Sequence, residues 1–544
     1  MRDMKTTSSP GPDGVPAYLY QKFAEVLATP IIWIWKNSME SGTMPEETLL
    51  AYITPILKSV DRSEPANYRP VSLTNHLTKF FERVLRKEMV KHLESQDLLN
   101  KTQHGFRAKH STITQILSYY DSILSMLEEG NAVDAIYLDF SKAFDKVDHR
   151  ILLKKLECVG ITGRLLQWIE SFLTNRKQQV RIGNVLSPKE WVRSGVPQGS
   201  VLGPLLFLIM LTDIDDNVEH SMIGSYADDT RLWKMIHADD DQTLLQQDLQ
   251  VLYEWADLNN KSFNDDKFEH LPFGPPNNRV YTAPSGTVIK KKDHVKDLGV
   301  HMSGSCSFDY HISSLVKTAM QVSAWILRTF LTREKFALKV LLQSLVVSLC
   351  EYASVVWSPF DKRNILMIEN VQKRFTSRIR EYQEYDEELQ MWVCTVGYND
   401  RLKDLKIYSL ERRRERNMIL YAYRVVIGLL KFQWFEAYED HQDEGIKLRP
   451  RYNNRAPARV KRYRHSSFFY KGPQLYNLLP VELRQFEEIA EPGKGHVETF
   501  KGKLDKFLEV IPDEPTPEGR AATNNSLICQ VPLFRRQQRQ LWNG

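Results

Sequence analysis

Cysteine is scarce in this chain of 544 residues: Cys158, Cys306, Cys350, Cys394 and Cys529 are odd in number, scattered, and never spaced as CxxC. Neither a disulfide framework nor a zinc knuckle fits that pattern, and a reducing intracellular compartment is expected, nucleus or cytoplasm left undivided. No apolar run approaches the ~20 residues of a membrane span, so no membrane partner is expected. The first residues, MRDMKTTSSPGPDG, lack the apolar segment of a secretory signal. No internal repeat is present. Acid is missing from one stretch in particular. Between Lys447 and Lys471 stand nine Lys or Arg residues and no Asp or Glu. Arg455, Arg459, Lys461, Arg462 and Arg464 are interleaved there with Tyr452, Tyr463, Phe468, Phe469 and Tyr470, a mixture suited to phosphate contacts and base stacking. The net charge of +5 is modest, so the clustering rather than the total carries this reading.

What the chain does have is a large globular core, with a hydrophobic fraction of 42% and a charged fraction of 26%. It also has paired carboxylates. Asp239 to Asp241 precede Leu244, Leu245, Leu249, Leu252 and Trp255 at helical spacing, which makes them favourable charge at a helix start. Asp213, Asp215 and Asn217 imitate the opening of a calcium loop, but Val218 stands where glycine is needed and Gly224 where the bidentate Glu belongs. Tyr226-Ala227-Asp228-Asp229 differs. Ser221 to Tyr226 and Thr230 to Ile236 read as two short strands, which puts the Ala-Asp step at a tight hairpin and two carboxylates at its tip.

Asp139 precedes that tip in YLDFSKAFDKVDH, at the end of the apolar strand Val133 to Phe140. Three carboxylates from neighbouring strands suffice to bridge two Mg²⁺ about 3.5 to 4 Å apart and to perform in-line phosphoryl transfer. Between the two lies SGVPQGSVLGPLLF (Ser194 to Phe207). Its glycines allow close backbone approach, Gln198 offers a donor and an acceptor, and the run after Pro204 reads as a buried helix.

In this order the strings resemble the reverse transcriptases of non-LTR (LINE-type) retrotransposons, particularly the jockey-like and chicken-repeat-like lineages. SSPGPDGVP, PILKSVDRSEPANYRPVSLTNHLTKFFERVL and LLNKTQHGFRAKHST match upstream motifs. KDLGVHMS (Lys296 to Ser303) resembles a primer-grip hairpin, and CEYASVVWSP, ENVQKRFTSRI and SFFYKGPQLYNLLP resemble the region after the polymerase. The resemblance implies an α+β right-hand polymerase with a ferredoxin-like palm and a helical basic C-terminal region. The expected boundaries are fingers and upstream motifs over 1–132, palm over 133–303, thumb over 304–380, a helical basic region over 381–510 and a disordered tail over 511–544; residues 15–130 are expected to be mostly helical.

The implied activity is RNA-directed DNA polymerisation, extending a primer 3′-hydroxyl with dNTPs in target-primed reverse transcription. Asp139, Asp228 and Asp229 would bind two Mg²⁺, with Mn²⁺ a possible substitute. Phe144 would be the gate beneath the sugar, Gln198 and Gly199 would lie beside the incoming nucleotide, and Arg69 and Lys79 would hold triphosphate charge. Where the family shows an Asn-x-x-Lys-like segment, this chain has LNNKSFNDDKFEHLPFG. Lys267 is the expected pyrophosphate acid there, with Lys261 its rival, and Asp265 and Asp266 would raise a nearby lysine's pKa. Template RNA, primer or target DNA and dNTPs are the expected partners. An endonuclease domain, expected in the full element, is not found in this sequence, so the chain reads as a piece of a longer frame. The alternatives are a decayed nucleic-acid-binding remnant and an RNA-templated RNA polymerase; Phe144 and the upstream strings count against the latter.

Overall fold

Two β-sheets position the site. Their strands are β1 (Leu50–Leu57), β2 (Tyr68–Leu73), β3 (Ala132–Leu138), β4 (Lys177–Ile182), β5 (Val185–Leu186), β6 (Glu190–Trp191), β7 (Met222–Tyr226), β8 (Asp229–Ile236), β9 (Glu269–Phe273) and β10 (Lys290–Lys291), and a separate two-stranded sheet is made by β11 (His294–Asp297) and β12 (Val300–Ser303). The computed structural model describes the chain apart from residues 3, 59–60, 433, 440–444, 452–457, 486–491, 516–524 and 543–544.

The central sheet runs β10-β9-β3-β8-β7, with β3 antiparallel to both β8 and β9. Its middle strand serves two cores at once. Val133 and Ala135 pack with Trp233, Leu271, Phe273 and the helix Thr112–Glu128. The alternate residues Ile136 and Leu138 pack with Leu232 and with the helices Gly203–Met210 and Asp240–Leu258. A strand buried on both faces reads as an apolar run rather than an alternation, which is what the sequence shows. The run after Pro204 is the expected buried helix, with proline in its first turn where its missing N–H costs nothing.

Beside it lies a second sheet, β2-β1-β4-β5, with β6 on β4 and β1 parallel to β4. Residues 15–130 are mostly helical as expected, but two strands that the expectation did not include lie among the helices. Helices occupy Ala17–Lys22, Ala24–Ser41, His76–Ser95 and Thr112–Glu128, but β1 and β2 pair antiparallel, with Pro55 opposite Pro70. Proline at both positions disfavours a helix interior, and AYITPIL is rich in β-branched and aromatic residues.

Downstream, β11 and β12 form the expected hairpin, followed by helices Asp309–Thr329, Lys335–Leu341 and Lys362–Thr376. Their core continues without a break into later helices, joining Leu338, Ile368 and Phe375 to Met418, Phe468, Leu504 and Val531. The core therefore does not divide at the boundary expected after residue 380. The tail expected to be disordered over 511–544 is partly helical: Leu527–Trp542 is a helix in which Leu527 and Val531 are buried. Polar composition hid two anchors, since Glu415 accepts hydrogen bonds from Ser526 Oγ (2.5 Å) and Leu527 N (2.7 Å). Among the described residues no helix is long and apolar enough to cross a membrane.

Candidate active site

Strands β7 and β8 are joined by Ala227-Asp228 alone, with Tyr226 opposite Asp229. The turn forces Ala227 to a φ of +57°, a region that costs a non-glycine residue ~1–2 kcal/mol. Gln103 holds it there. Its Oε1 accepts from the Ala227 N–H at 2.7 Å and its Nε2 donates to the Ala227 carbonyl at 3.0 Å. The Gly105 N–H donates to the same Oε1 at 2.8 Å. Around this, Ser225 N donates to Thr102 O (3.0 Å) and His104 N to Ser225 O (2.9 Å), so the segment runs beside the hairpin as an extra short strand. A Cβ at residue 105 would lie 2.4 Å from the Ala227 nitrogen, which explains the glycine. Sequence reasoning quoted this segment and missed Gln103; the available signal was an amide side chain two residues before a glycine in QHG.

The three expected carboxylates are coupled. Burial and then the neighbouring Asp139 raise the Asp228 carboxyl above the ordinary range, against the pull of Arg69 and Lys58. Burial and then Asp228 push Asp229 up to about 6, with Asp139 contributing in the same direction. Asp139 directly follows β3; its backbone carbonyl accepts from Asn264 N at 2.8 Å, and its Oδ2 accepts from Lys267 Nζ at 2.7 Å. That corrects the expected environment of Lys267: its ion-pair partner is Asp139, whereas Asp265 is bound by the Tyr253 hydroxyl. Among the described residues no three His, Cys, Asp or Glu side chains already close around one point. The donor set nevertheless suits a hard divalent cation, because bound positive charge would offset the burial and the repulsion that raise Asp228 and Asp229.

Phe144 stacks on Phe207, with centroids 4.2 Å apart and planes 15° from parallel, and meets the edge of Phe106. Gln198 donates through Nε2 to Asp145 Oδ1 at 3.0 Å, and its carbonyl accepts from Ser72 N at 2.7 Å. Gly199 has a φ of +126°, and a Cβ there would lie 2.4 Å from Ser72 O, so β2 and the PQG turn touch through backbone. Arg69, expected to hold triphosphate charge, is exposed on β2 and acts on Asp228, and Lys58, which sequence reasoning passed over, acts with it. Lys79 does not join them. Burial, partly offset by Glu82, lowers its pKa, and its other charged neighbour is Arg83. Lys261, the rival of Lys267, is buried with its Nζ 2.6 Å from the Ala143 carbonyl, and burial pulls its pKa down to about 7.

The basic segment divides. Arg464 is 4% exposed, paired with Asp121 and with Glu128 at 3.2 Å, so it pins two helices together and cannot offer its charge to a phosphate. Phe468 and Phe469 are core residues rather than stacking platforms. Arg462 is exposed over the Phe360 ring and Lys461 is partly exposed. Arg455 and the side chain of Arg459 lie outside the described residues.

Residues 56–302, which include the hairpin and all three carboxylates, match the family described as Reverse transcriptase (RNA-dependent DNA polymerase). The probable RNA-directed DNA polymerase from transposon BS of Drosophila melanogaster is 25% identical over 78% of this chain and 47% of that protein. The RNA-directed DNA polymerase from mobile element jockey of Drosophila funebris is 29% identical over 60% of this chain and 37% of that protein. Residues 56–302 thus carry a reverse transcriptase domain, and the relatives it resembles are polymerases of non-LTR, LINE-type elements. It spans about half the length, or less, of the curated relatives it matches. A solved telomerase from Candida albicans, in complex with a fragment of telomeric RNA, is 13% identical with a TM-score of 0.37, over 70% of this chain and 69% of that one. Reverse transcriptases of this family depend on a divalent metal.

Proposed function

We propose that this domain extends a primer 3′-hydroxyl with dNTPs on an RNA template, in target-primed reverse transcription by a two-metal mechanism. The observation that carries the reading is the hairpin tip. Gln103 clamps Ala227 so that Asp228 and Asp229 stand near Asp139, whose charge acts on both, and Asp228 acts on Asp229 in the same direction. Asp139, Asp228 and Asp229 would hold two Mg²⁺, with Mn²⁺ a possible substitute; when bound, such ions supply Lewis-acid activation of the hydroxyl and charge neutralisation at the leaving phosphate.

The chain's own residues do the rest. Arg69 and Lys58 place fixed positive charge toward the carboxylates, where a triphosphate's negative charge must be held. Phe144, stiffened by its stack on Phe207, forms the wall beneath the sugar that a 2′-hydroxyl would strike. Gln198, fixed by Asp145 and Ser72, and Gly199 line the nucleotide's base side. The 3′-oxygen bonds the α-phosphorus as the bond from it to the pyrophosphate oxygen breaks, and the hydroxyl proton passes to solvent water. Lys267, released from Asp139, donates its own proton to the departing pyrophosphate. Template RNA and primer or target DNA are held by the groove's shape and by exposed cations such as Arg462 and Lys461. Primer extension on an RNA template tests the reading: Asp139→Asn must abolish incorporation, and wild-type levels from that variant would remove the carboxylate set from catalysis.

A further inference from the structure

Arg231 and Asp297 are 1% and 4% exposed and pair with each other through Nη2 and Oδ1. Arg231 lies on β8 two residues after Asp229, hence on the same face of that strand. Asp297 is the last residue of β11. The guanidinium carbon sits 5.2 Å from the centre of the Tyr119 ring, and the Tyr119 and Tyr137 hydroxyls share a hydrogen bond of 3.0 Å. Tyr137 is the residue directly opposite Arg231 on β3. Three strands and the helix Thr112–Glu128 therefore meet at one ion pair.

That pair is a poor device for stability alone. Desolvating two charges consumes most of what their attraction returns, and an apolar pair of similar volume serves a core equally well. Its geometry is also incomplete: Nε and Nη1 of Arg231 and Oδ2 of Asp297 have no hydrogen-bond partner among the described residues. What a buried ion pair adds is a fixed distance and direction between the elements that carry it. Here those elements are the carboxylate strand and the β11–β12 hairpin. The tip of that hairpin, Leu298-Gly299, is held from the other side, where the Tyr352 hydroxyl donates to the Leu298 carbonyl at 2.8 Å. Tyr352 in turn lies close enough to Tyr226 to act on its phenol. The hairpin is thus fastened to the strand of Asp229 where β11 enters the turn, and at the tip itself it lies beside the first residue of the carboxylate turn.

We propose that Arg231–Asp297 is a positioning pair, a strut that sets the β11–β12 hairpin at one distance from Asp228 and Asp229 and so aligns the primer's 3′-terminal nucleotide with them. This rests on the polymerase reading of the site and on the hairpin contacting the primer. Arg231 and Asp297 touch neither nucleotide nor metal in this scheme, so their loss acts on the primer end and not on dNTP binding.

The test is steady-state extension by the full chain on an RNA template, with KM measured separately for primer-template and for dNTP. Asp297→Glu keeps the charge and lengthens the strut by one methylene. It is expected to raise the primer-template KM about three-fold or more while the dNTP KM stays within about two-fold. Replacing both partners, Arg231→Met with Asp297→Leu, removes the charges together and leaves no orphan behind. That chain is expected to unfold near the wild-type temperature while its primer-template KM rises about ten-fold. Unchanged primer-template KM and kcat in Asp297→Glu, or in the folded double variant, overturns the strut. Equal rises in both KM values also overturn it, because they mark a general structural loss. Failure of the polymerase reading is separate and visible beforehand, as a folded wild-type chain that incorporates nothing.

Discussion

Removing the Gln103 side chain is the sharpest perturbation of the carboxylate turn that leaves every carboxylate in place. Gln103→Ala strands three backbone groups: the N–H and C=O of Ala227, which is itself buried, and the N–H of Gly105. A buried polar group left unpaired costs ~1–3 kcal/mol. Ala227 at a φ of +57° stores ~1–2 kcal/mol that the glutamine bonds now restrain. With part of the loss recovered by water, a net ~3 kcal/mol then favours release of the turn. Released, the turn carries Asp228 away from Asp139, and ~3 kcal/mol of lost alignment corresponds to a fall in kcat of about 100-fold. Global stability changes less, because the turn lies at a hairpin tip. Adding Ala227→Gly removes the strain, since glycine takes positive φ freely, and should return ~1 kcal/mol, or about five-fold in rate. Single-turnover extension with saturating primer, RNA and dNTP measures this. A kcat for Gln103→Ala within about three-fold of wild type, in a folded chain, refutes the clamp.

Phe144→Val removes the wall that stacks on Phe207, and ribonucleotide incorporation relative to dNTP should rise about ten-fold or more, read as the ratio of kcat/KM values. Asp134 predicts a pH dependence of stability. Burial alone would raise its pKa, but the His270 ring 3.4 Å away and hydrogen bonds from Arg279 and Tyr281 bring it down to about 2 from an ordinary 3.8. A depressed folded-state pKa gives stability that is complete above the unfolded value and is lost as pH falls. The contribution is on the order of 2 kcal/mol near neutrality, with about 1 kcal/mol gone by about pH 3, so denaturant unfolding should show the gap between wild type and Asp134→Asn shrinking by that amount. Arg464→Met should lower the unfolding midpoint by several degrees without weakening RNA binding, because its charge is spent on Asp121 and Glu128. Arg462→Ala should leave stability unchanged and reduce the salt dependence of RNA affinity by about one phosphate contact.

Much of the site was legible in the sequence because its signals are local. Two short strands around Ala-Asp specified the hairpin, an apolar run ending in Asp139 specified a strand exit, and Pro204 opened a helix, all within windows of a few residues. The contacts that aim these groups span long sequence separations and left no such trace. Gln103 reaches Ala227 across 124 positions and Lys267 reaches Asp139 across 128. Nothing in the spacing of FNDDK identifies Asp139, rather than its adjacent aspartates, as the lysine's partner. The basic segment misled for a related reason. Charge composition predicts a solvated or nucleic-acid-binding face, but the 447–471 run includes a helix whose Arg464 turns inward onto Asp121, 343 positions away. The strands β1 and β2 were missed because their helical neighbours have stronger periodicity than short strands that carry prolines.

The central claim, that Asp139, Asp228 and Asp229 form one metal-dependent nucleotidyl-transfer centre, is tested most directly by Mg²⁺-dependent extension of a DNA primer on an RNA template. Wild-type chain is compared with Asp228→Asn at matched folding. The account predicts dNTP incorporation by the wild type that vanishes on chelation, and a rate at least ~1000-fold lower in the variant. Extension by Asp228→Asn at the wild-type rate, or extension that persists without divalent metal, would contradict it.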